Sequence, residues 1–328
     1  MIEVSVIIPC RNEEKFIAKC LESIISQDFP KENLEVLIID GMSEDKTREI
    51  IKTFNIRHST FNIQLIDNHK KFTPQGLNIG IKAAKGEIII RMDAHAGYEE
   101  DYISKCVRCL KEYEADNVGG IIKTLASQDT IEARAIAIIL SSSLGAASSF
   151  RLGADKPKEV DTVFGGCYKR EVFDKVGFFD ERMQRSQDIE FNKRLKKAGG
   201  KIILTPDIVA THYPQSTLLG FTRHNFIDGF WVTYPLKFGV RYFSIRHLAP
   251  LFFIGILVVS LALGFFSFLG KLLFIFVLGI YLLWITFSSL AISIKRGWKY
   301  LFVLPLAVFS RHFAYGFGSI WGLVRIAI

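Results

Sequence analysis

Two long stretches without a charged residue constrain the fold of this 328-residue chain more than any other feature. Residues 248–270 and 272–294 contain no Asp, Glu, Lys or Arg. Each is long enough to cross the roughly 30 Å hydrocarbon core of a bilayer as a helix. The sequence therefore predicts two transmembrane helices, joined by a tight hairpin at Gly270 and Lys271.

A third apolar stretch begins at Tyr300 and contains Arg311 and His312. Ionisable side chains are costly in the middle of a membrane, so both should face protein, water or lipid head groups. We favour a third crossing over a re-entrant or interfacial pair of short helices. Basic residues flank the first two stretches on both sides, which predicts cytosolic flanks and a cytosolic N-terminal domain; they are Lys237, Arg241, Arg246, Lys295, Arg296 and Lys299. The short apolar run at residues 1–10 is not expected to be a signal peptide.

The N-terminal part of the chain alternates short apolar runs with amphipathic segments. Strands are predicted at residues 4–9, 34–40, 63–67 and 88–93, and all but the last are followed by a helical pattern. This alternation favours an α/β fold with a mostly parallel sheet and its functional loops along one edge. We predict an α/β domain over 1–215, an interfacial amphipathic connector over 216–246 and transmembrane helices over 247–328. Residues 131–147 are apolar and rich in small side chains, and are expected on the bilayer surface.

Candidate metal ligands follow the strand predicted at residues 88–93. Asp93 and His95 should point to the same side, because side chains alternate along an extended segment. One carboxylate suffices for Mg²⁺ completed by substrate phosphates, while a histidine shifts the preference towards Mn²⁺. His212, placed after a strand at 201–204 and a turn at Pro206, is a further candidate ligand. The alternatives are a helix-capping Asp and two ordinary loop histidines.

Two more carboxylates stand at positions that suit chemistry. Asp40 ends an apolar strand before Gly41, where it would accept a hydrogen bond from a base or ribose, or simply shape a turn. Asp188 lies in the first turn of a predicted helix, where it would deprotonate an attacking hydroxyl or merely complement the helix dipole. The glycine pattern of dinucleotide sites and the phosphate-binding lysine loop are absent, which disfavours an oxidoreductase or an ATPase.

Charge and cysteine usage narrow the partners. The net charge of +8 suits a phosphate-bearing nucleotide or an anionic lipid surface, and no nucleic-acid partner is expected. The five cysteines should be free thiols in a cytosolic domain. Cys106 and Cys109 fall in a predicted helix, where redox or metal chemistry is disfavoured.

Taken together, several segments resemble a family 2 glycosyltransferase of the GT-A fold, over residues 4 to about 231. They read VIIPCRNEE at 6–14, IDGMSEDKT at 39–47, RMDAH at 91–95, Gly165-Gly166 and Gln187-Asp188. Within that family, DAHAGY at 93–98, SLG at 143–145 and Phe150-Arg151 are most similar to the succinoglycan-type, ExoA-like transferases. Those enzymes add a β-linked sugar to a lipid-carried saccharide. His95 departs from the family's second Asp, and Gln187 from its Glu.

The resemblance implies roles for individual residues, with Asp188 as the catalytic base. The donor would be bound by Pro9, Arg11, Asn12, Glu13, Asp40, Ser43, Gln75, Asn78, Arg91 and Asp93. The acceptor would lie against Gly165, Gly166, Arg170, Gln187 and Arg223, of which the two arginines either grip carrier phosphates or are surface residues. Asp93, His95 and His212 would hold a divalent cation, Mn²⁺ or Mg²⁺.

The function implied is inverting transfer from a nucleotide sugar, with a UDP-sugar favoured, to a lipid-linked polyprenyl saccharide at the cytosolic membrane face. A polyprenyl-phosphate monosaccharide synthase and a membrane-anchored nucleotide-sugar sensor without catalysis remain alternatives. Oligomeric state stays open. The interpretation requires Asp93 and Asp188 to converge on one cleft.

Overall fold

The computed structural model describes residues 1–145 and 148–328. The chain divides into two compact units, one formed by Met1–Lys123 with Ser148–His212 and the other by Thr124–Ala147 with Tyr213–Ile328. The first unit is the α/β part and the second is helical. The segment at 124–147 thus groups with the helical unit, although the sequence suggested one border near residue 215.

The described strands and helices have the following bounds. The strands are β1 Val4–Cys10, β2 Leu34–Asp40, β3 Ile63–Asp67, β4 Ile88–Arg91, β5 Ala96–Tyr98, β6 Asn117–Thr124, β7 Lys158–Glu159, β8 Cys167–Lys169 and β9 Ile202–His212. The helices are α1 Ile17–Ile25, α2 Thr47–Arg57, α3 Thr73–Ala83, α4 Tyr102–Glu112, α5 Ile131–Leu140, α6 Ser149–Leu152, α7 Glu171–Val176, α8 Gln187–Lys197, α9 Leu218–Thr233, α10 Ile245–Gly264, α11 Phe268–Arg296 and α12 Val303–Ala327.

The sheet of the first unit has a parallel half and an antiparallel half. Among the described residues its order is β3-β2-β1-β4-β8-β6-β9-β5, with β7 also paired to β9. Strands β3, β2, β1 and β4 run parallel, as predicted, whereas β8 is antiparallel to both β4 and β6, and β5 and β7 are antiparallel to β9. The carboxyl ends of β1, β2 and β4 therefore meet along one edge, where an α/β sheet binds its ligands.

Burial on both faces explains why β1, β2 and β4 are mainly apolar. All seven residues of β2 are buried. In β1, Val4, Val6 and Ile8 pack into a core on one side of the sheet, while Ile7 packs into a second core with residues of α3 such as Leu77. The sheet is therefore covered by a core on each face.

Two predictions about strand ends were wrong. β4 ends at Arg91 rather than at residue 93, so Asp93 lies in the loop that follows. β9 continues through Pro206, where a turn was predicted, and His212 is its last residue rather than part of a loop. Pro206 lies between the part of β9 that pairs with β7, at Ile203 and Leu204, and the part that pairs with β5, so neither of these short strands needs its missing N–H.

The second unit contains two helices that are long and apolar enough to cross a membrane, α10 and α11. Apolar side chains on both helices are exposed, as that assignment requires: Val259 of α10 is 58% exposed and Phe276 of α11 is 65% exposed. The predicted joint at Gly270 and Lys271 was wrong, because the turn lies at 265–267 and both residues belong to α11. Ser267 accepts a hydrogen bond from the Gly270 N–H and so begins that helix.

Helix α12 runs unbroken through Arg311 and His312. Arg311 donates to Asn225 Oδ1 at 2.9 Å, and the two ring nitrogens of His312 lie 3.1 Å from Tyr281 Oη and from the Leu144 carbonyl. Both polar side chains therefore face protein, as expected. Helix α12 is continuous, so this stretch is not a pair of short helices. Within the predicted surface segment, α5 is buried along one side in this unit, and residues 146–147 lie outside the described residues.

Candidate active site

One arginine joins the two carboxylates on which the functional interpretation depends. Arg91, the last residue of β4, donates from Nη2 to Asp93 Oδ1 at 2.8 Å, and its Nη1 lies 3.7 Å from Asp188 Oδ2. The Arg91 side chain is 11% exposed and that of Asp188 is 30% exposed. Asp93 and Asp188 thus share the buried guanidinium of Arg91, and Asp188 is also partly exposed to solvent.

The buried ion pair is held in its charged form. Burial opposes the charge on Arg91, but the nearby Asp93 and Asp188 outweigh it and raise its pKa. Burial likewise disfavours the ionised form of Asp93, and Arg91 overcomes this effect and lowers the Asp93 pKa. Within the described residues, Nε and Nη1 of Arg91 are buried without a hydrogen-bond partner. This centre consequently retains donors that a substrate oxygen could use.

Hydrogen bonds from two side chains fix the backbone of the loop after β4. Tyr98 Oη accepts a hydrogen bond from the Asp93 N–H at 2.6 Å, and Cys20 Sγ donates to the Asp93 carbonyl. β5 then pairs with β9 so that Ala96 lies opposite His212. The role of Tyr98 was not visible in the sequence, because a tyrosine five residues after an acidic residue carries no recognisable pattern.

The residues around Asp93 fit a divalent cation that takes few protein ligands. His95 Nδ1 is 3.1 Å from Glu13 Oε1, so Nε2 is the ring nitrogen left for a metal. The rings of His95 and His212 lie edge to face with their centroids 5.9 Å apart. In the part of the chain that the structure describes, no three His, Cys, Asp or Glu side chains could hold a metal on their own. The arrangement suits a cation whose shell substrate phosphates complete.

Two glycines bring the loop before β8 against Arg91. Gly165 and Gly166 have φ angles of +67° and +103°, and the Arg91 N–H donates to the Gly166 carbonyl at 3.0 Å. A Cβ on Gly165 would lie only 2.9 Å from the Arg91 carbonyl oxygen. Glycine is needed at both positions, for the backbone conformation and for the close approach.

Asp188 lies in the first turn of α8, as predicted. The helix follows Ser186, whose φ of +56° places it in the left-handed region, and Gln187 is buried at the first helical position. Asp188 Oδ1 accepts a hydrogen bond from the Ile189 N–H at 2.9 Å, which leaves Oδ2 directed towards Arg91. One carboxylate oxygen is therefore anchored by the helix, and the other faces the Arg91 guanidinium.

Reciprocal hydrogen bonds join the loop after β1 to the loop after β2, and we call this pair the clasped loops. Asn12 N–H donates to Ser43 Oγ at 2.9 Å, and Asn12 Oδ1 accepts from the Glu44 N–H at 2.9 Å. Glu13 N–H donates to Thr47 Oγ1 at 2.7 Å. Asn12 adopts a left-handed φ of +56°, a conformation that asparagine tolerates better than most residues. These contacts make a preformed pair of loops at the carboxyl edge of the sheet.

Asp40 organises the second of these loops. Its carboxylate accepts from Ser43 Oγ at 2.5 Å, from the Ser43 N–H at 3.1 Å and from Arg48 Nη1 at 2.6 Å. Arg48 also pairs with Asp67 at the end of β3, at 2.8 Å. Asp40 is fully buried. Its contact with a nucleotide base stays a prediction. Arg48 gave no signal in the sequence.

The remaining predicted donor residues divide into two groups. Pro9 lies in β1 opposite Ile39, and Arg11 is exposed beside Gly41, at the same edge as the clasped loops. Gln75 and Asn78 lie on α3 and are buried. Their amides are used to hold another segment.

That segment is residues 179–181. Gln75 Nε2 donates to the Glu181 carbonyl at 2.7 Å. Asn78 donates to the Phe179 carbonyl at 2.9 Å and accepts from the Phe179 N–H at 3.0 Å. Both side chains thus support the fold rather than face the cleft.

The two predicted acceptor arginines lie in different units of the chain. Arg170 follows β8 at the amino end of β4, opposite the end that carries Asp93, and donates to the carbonyls of Gly86 and Ala84. Its donors close the loop after α3, which corrects the expectation of a phosphate contact. Arg223 is exposed on α9, in the helical unit.

Comparison with known proteins identifies what this geometry resembles. The model of the family "Glycosyl transferase family 2" matches residues 5–177. A dolichyl N-acetyl-alpha-D-glucosaminyl phosphate 3-beta-D-2,3-diacetamido-2,3-dideoxy-beta-D-glucuronosyltransferase of Methanococcus voltae is 31% identical over 327 residues, which cover 98% of this chain and 97% of that protein. The succinoglycan biosynthesis protein ExoA of Rhizobium meliloti (strain 1021) is 30% identical over 217 residues, 65% of this chain and 64% of that protein.

Solved structures share the fold. The mannosyltransferase PcManGT from Pyrobaculum calidifontis, in complex with GDP-Man and Mn²⁺, aligns with a TM-score of 0.59 at 18% identity, over 98% of this chain and 87% of that one. The S. aureus TarS fragment 1–349 in complex with UDP aligns with a TM-score of 0.51 at 17% identity, over 100% and 92%. These likenesses confirm the predicted GT-A fold.

The five cysteines are free, as expected, and all of them are buried.

Proposed function

The chain belongs to glycosyl transferase family 2 and is a glycosyltransferase, and from that premise we propose that it moves a sugar, with inversion, from a UDP-sugar to a lipid-linked saccharide. The transfer would take place at the cytosolic face of a membrane in which α10 and α11 are anchored. The two C-terminal apolar helices support membrane association. The Methanococcus voltae relative, whose name specifies a dolichyl phosphate-linked sugar acceptor, supports the class of acceptor.

The observation that carries the proposal is the Arg91 bridge between Asp93 and Asp188. Inverting transfer needs a base on the side of the sugar opposite the departing phosphate. Oδ1 of Asp188 is anchored by the helix, Oδ2 lies 3.7 Å from Arg91 Nη1, and the side chain is 30% exposed, so an acceptor hydroxyl can approach it. Arg91 also pairs with Asp93 at 2.8 Å, so it links the base to the carboxylate assigned to the donor side.

In the proposed reaction, Asp188 Oδ2 takes the proton of the acceptor hydroxyl while the hydroxyl oxygen attacks the anomeric carbon. The bond from that carbon to the nucleoside diphosphate breaks, and the diphosphate keeps the electron pair. Asp93 and His95 would hold a divalent cation, Mn²⁺ or Mg²⁺, which would neutralise negative charge on the departing diphosphate. Nε and Nη1 of Arg91, which have no hydrogen-bond partner among the described residues, would stabilise the same charge from the protein side.

The clasped loops would receive the nucleoside. Asn12 and Ser43 fix the two loop backbones, and Asp40 and Arg48 fix the base of the second loop. A site that is already ordered avoids the entropy cost of forming around its ligand. Pro9, Arg11 and Glu13 lie at the same edge and belong to this proposed donor site, whereas Gln75, Asn78 and Arg170 do not.

Direct assay of transfer tests the proposal. The full chain in membranes would be given labelled UDP-sugars and GDP-mannose, with a lipid-linked saccharide or a bare polyprenyl phosphate as acceptor, with and without Mn²⁺ or Mg²⁺. We expect transfer to the lipid-linked saccharide, a metal requirement, and a product whose anomeric configuration is opposite to that of the donor. Preferential transfer to bare polyprenyl phosphate would instead identify a monosaccharide synthase, and retention of configuration would contradict Asp188 as a base in a single displacement.

A further inference from the structure

A cavity of about 370 Å³ lies in the helical unit at the carboxyl end of α11. One wall is apolar and is formed by Ala137 and Ile138 of α5 with Ile292 of α11. The other side carries hydroxyl groups, Ser142 among them, and the charged side chains of Lys295 and Arg296. An apolar wall beside paired cations suits a molecule with a hydrocarbon part and an anionic part.

The two cations have no counterion inside their own unit. This unit contains three carboxylates, and each is engaged elsewhere: Asp129 with Arg134, Glu132 with the Leu218 N–H, and Asp228 with His224. Across the described residues, no carboxylate pairs with Lys295 or Arg296. An anion from outside the chain would therefore meet two uncompensated positive charges.

The position of the cavity along α11 indicates where that anion comes from. Helix α11 is one of the two candidate membrane spans, and Lys295 and Arg296 are its last two residues. Basic residues at the end of a span lie at the level of lipid phosphates. Ile292, which also lines the cavity, lies one turn earlier in the apolar part of the same helix, so lipid phosphate and lipid chain would meet different residues of α11.

We propose that this cavity binds the phosphate-bearing head group of a membrane lipid, with Lys295 and Arg296 on the phosphate and α5 against the first part of the lipid chain. The inference concerns binding and does not depend on the glycosyl transfer proposed above. Two lipids carry the required chemistry, a polyprenyl phosphate carrier and an ordinary anionic membrane lipid. They differ in the phosphate: the first is a monoester with a linear chain, and the second is a diester.

A simpler role for the two cations must be separated from lipid binding. Basic side chains in the last turn also complement the helix dipole, which stabilises the helix by roughly 0.3–1 kcal/mol each. That role would change the stability of the protein and leave lipid affinity intact. Lys299 provides a matched control, because it is exposed at the same end of α11 but packs over the Tyr300 ring and does not line the cavity.

The test measures lipid binding to the purified full chain in detergent, by native mass spectrometry with titration. The probes are a short-chain polyprenyl monophosphate, phosphatidylglycerol and inorganic phosphate. A basic residue near a lipid phosphate contributes about 1 kcal/mol, so Lys295→Gln and Arg296→Gln should each weaken lipid binding about 5-fold, and the double variant about 30-fold. Lys299→Gln should bind the lipids as the unmodified protein does.

A second variant tests the apolar wall without touching the charges. Ala137→Leu fills the cavity beside Ile138 and should weaken both lipids by about tenfold or more while Lys295 and Arg296 remain. Its unfolding temperature is measured alongside, and if the protein does not fold, the smaller Ala137→Val takes its place.

The results overturn the proposal if the double variant binds lipid as tightly as the unmodified protein, or if Lys299→Gln loses as much. Binding of inorganic phosphate as tight as that of the lipids would also overturn it. Preference for the polyprenyl monophosphate would identify the carrier as the occupant, and preference for phosphatidylglycerol an ordinary anionic lipid. Because no sugar donor is present, failure here is distinct from failure of the proposed transfer reaction.

Discussion

The two halves of the active-site edge differ in how fully their polar groups are satisfied. In the clasped loops, the side chains of Asn12, Ser43 and Asp40 are joined to one another and to backbone groups at 2.5–3.1 Å. At the centre between Asp93 and Asp188, Arg91 makes one short bond, one contact at 3.7 Å, and keeps two buried nitrogens without hydrogen-bond partners in the described chain.

This difference separates binding from chemistry. A satisfied network resists rearrangement, because breaking a hydrogen bond to the buried Asp40 carboxylate leaves a buried acceptor unpaired at a cost of about 1–3 kcal/mol. An arginine with unused donors has the opposite property and gains when a substrate oxygen enters. We therefore expect changes in the clasped loops to act first on stability and donor affinity. Changes around Arg91 should act first on turnover.

The largest effect is expected for Asp188→Asn. The amide keeps the shape of the side chain but cannot take a proton, and general base catalysis typically contributes about 10²–10⁴-fold. Turnover should fall by that factor, with donor dissociation constant and stability nearly unchanged, as measured by steady-state transfer and nucleotide titration. Asp207→Asn, an exposed change of the same kind on β9, is the control. Full turnover in Asp188→Asn would remove this residue as the base.

Arg91→Lys should reduce turnover next most strongly. Lysine keeps the charge but lacks the planar fork that reaches two carboxylates at once. A small displacement of a catalytic group can cost about 100-fold in rate, so kcat should fall by about that factor while KM for the donor changes little. If KM alone rises, Arg91 contacts the donor without positioning Asp188, and the contrast between the two halves weakens.

Arg48→Met should act mainly on stability, because Arg48 and Asp40 form an ion pair in which Asp40 is fully buried. Removing one partner of a buried pair typically costs about 3–5 kcal/mol, and the remaining bonds from Ser43 should hold the loss near 3 kcal/mol. Chemical denaturation of the full chain in detergent measures the loss. A variant as stable as the unmodified protein but with 100-fold slower turnover would reverse the roles of the two halves.

Asn78→Ala should lower the free energy of unfolding by about 1–3 kcal/mol, because it leaves the buried N–H and carbonyl of Phe179 unpaired. The donor dissociation constant should stay within about twofold, since the Asn78 amide faces residues 179–181 rather than the clasped loops. Nucleotide titration at a temperature where the variant is fully folded provides the measurement. A large loss of donor affinity in a stable variant would return Asn78 to the donor site.

The smallest effect is expected from the pH dependence of Glu181→Gln. Hydrogen bonds from Lys70 and Asn78 lower the pKa of Glu181. A lowered folded-state pKa contributes stability above the unfolded value of about 4.3, and that contribution disappears as the pH falls through the folded value. The unmodified protein should therefore exceed Glu181→Gln in stability at pH 7, and this difference should shrink as the pH falls below the unfolded value of about 4.3. A constant difference across that range would contradict the ion pair.

Much of the fold follows from local sequence pattern. The predicted bounds of β2 and β3 agree with the structure, because each is a short, mainly apolar run that ends at an Asp. The first turn of α8, which contains Asp188, was also predicted from the sequence. The antiparallel half of the sheet was not, because β5, β7 and β8 have only two or three residues each. Such short strands have no period to detect.

The site divides in the same way. The positions of Asp40, Asp93 and Asp188 at the ends or starts of elements were readable from the chain and from its resemblance to a family. The contacts made by Tyr98 and Arg48 were not, and the expected use of Arg170 was corrected. Arg170 belongs to the amino end of β4 because β8 runs antiparallel to β4. No pattern local to either strand specifies that direction.

By itself, the sequence determined that this protein has an α/β part rich in buried parallel strands, a C-terminal part with two long apolar helices, and acidic residues where strands end. These properties depend on neighbours within a few positions, whose spacing sets which face each side chain occupies. Only the tertiary structure decided that Arg91 would join Asp93 to Asp188, that Asn78 would support a loop, and that Arg311 would find Asn225. Those contacts join segments far apart in the chain, so they depend on strand order, register and helix packing, which become defined when the whole core forms.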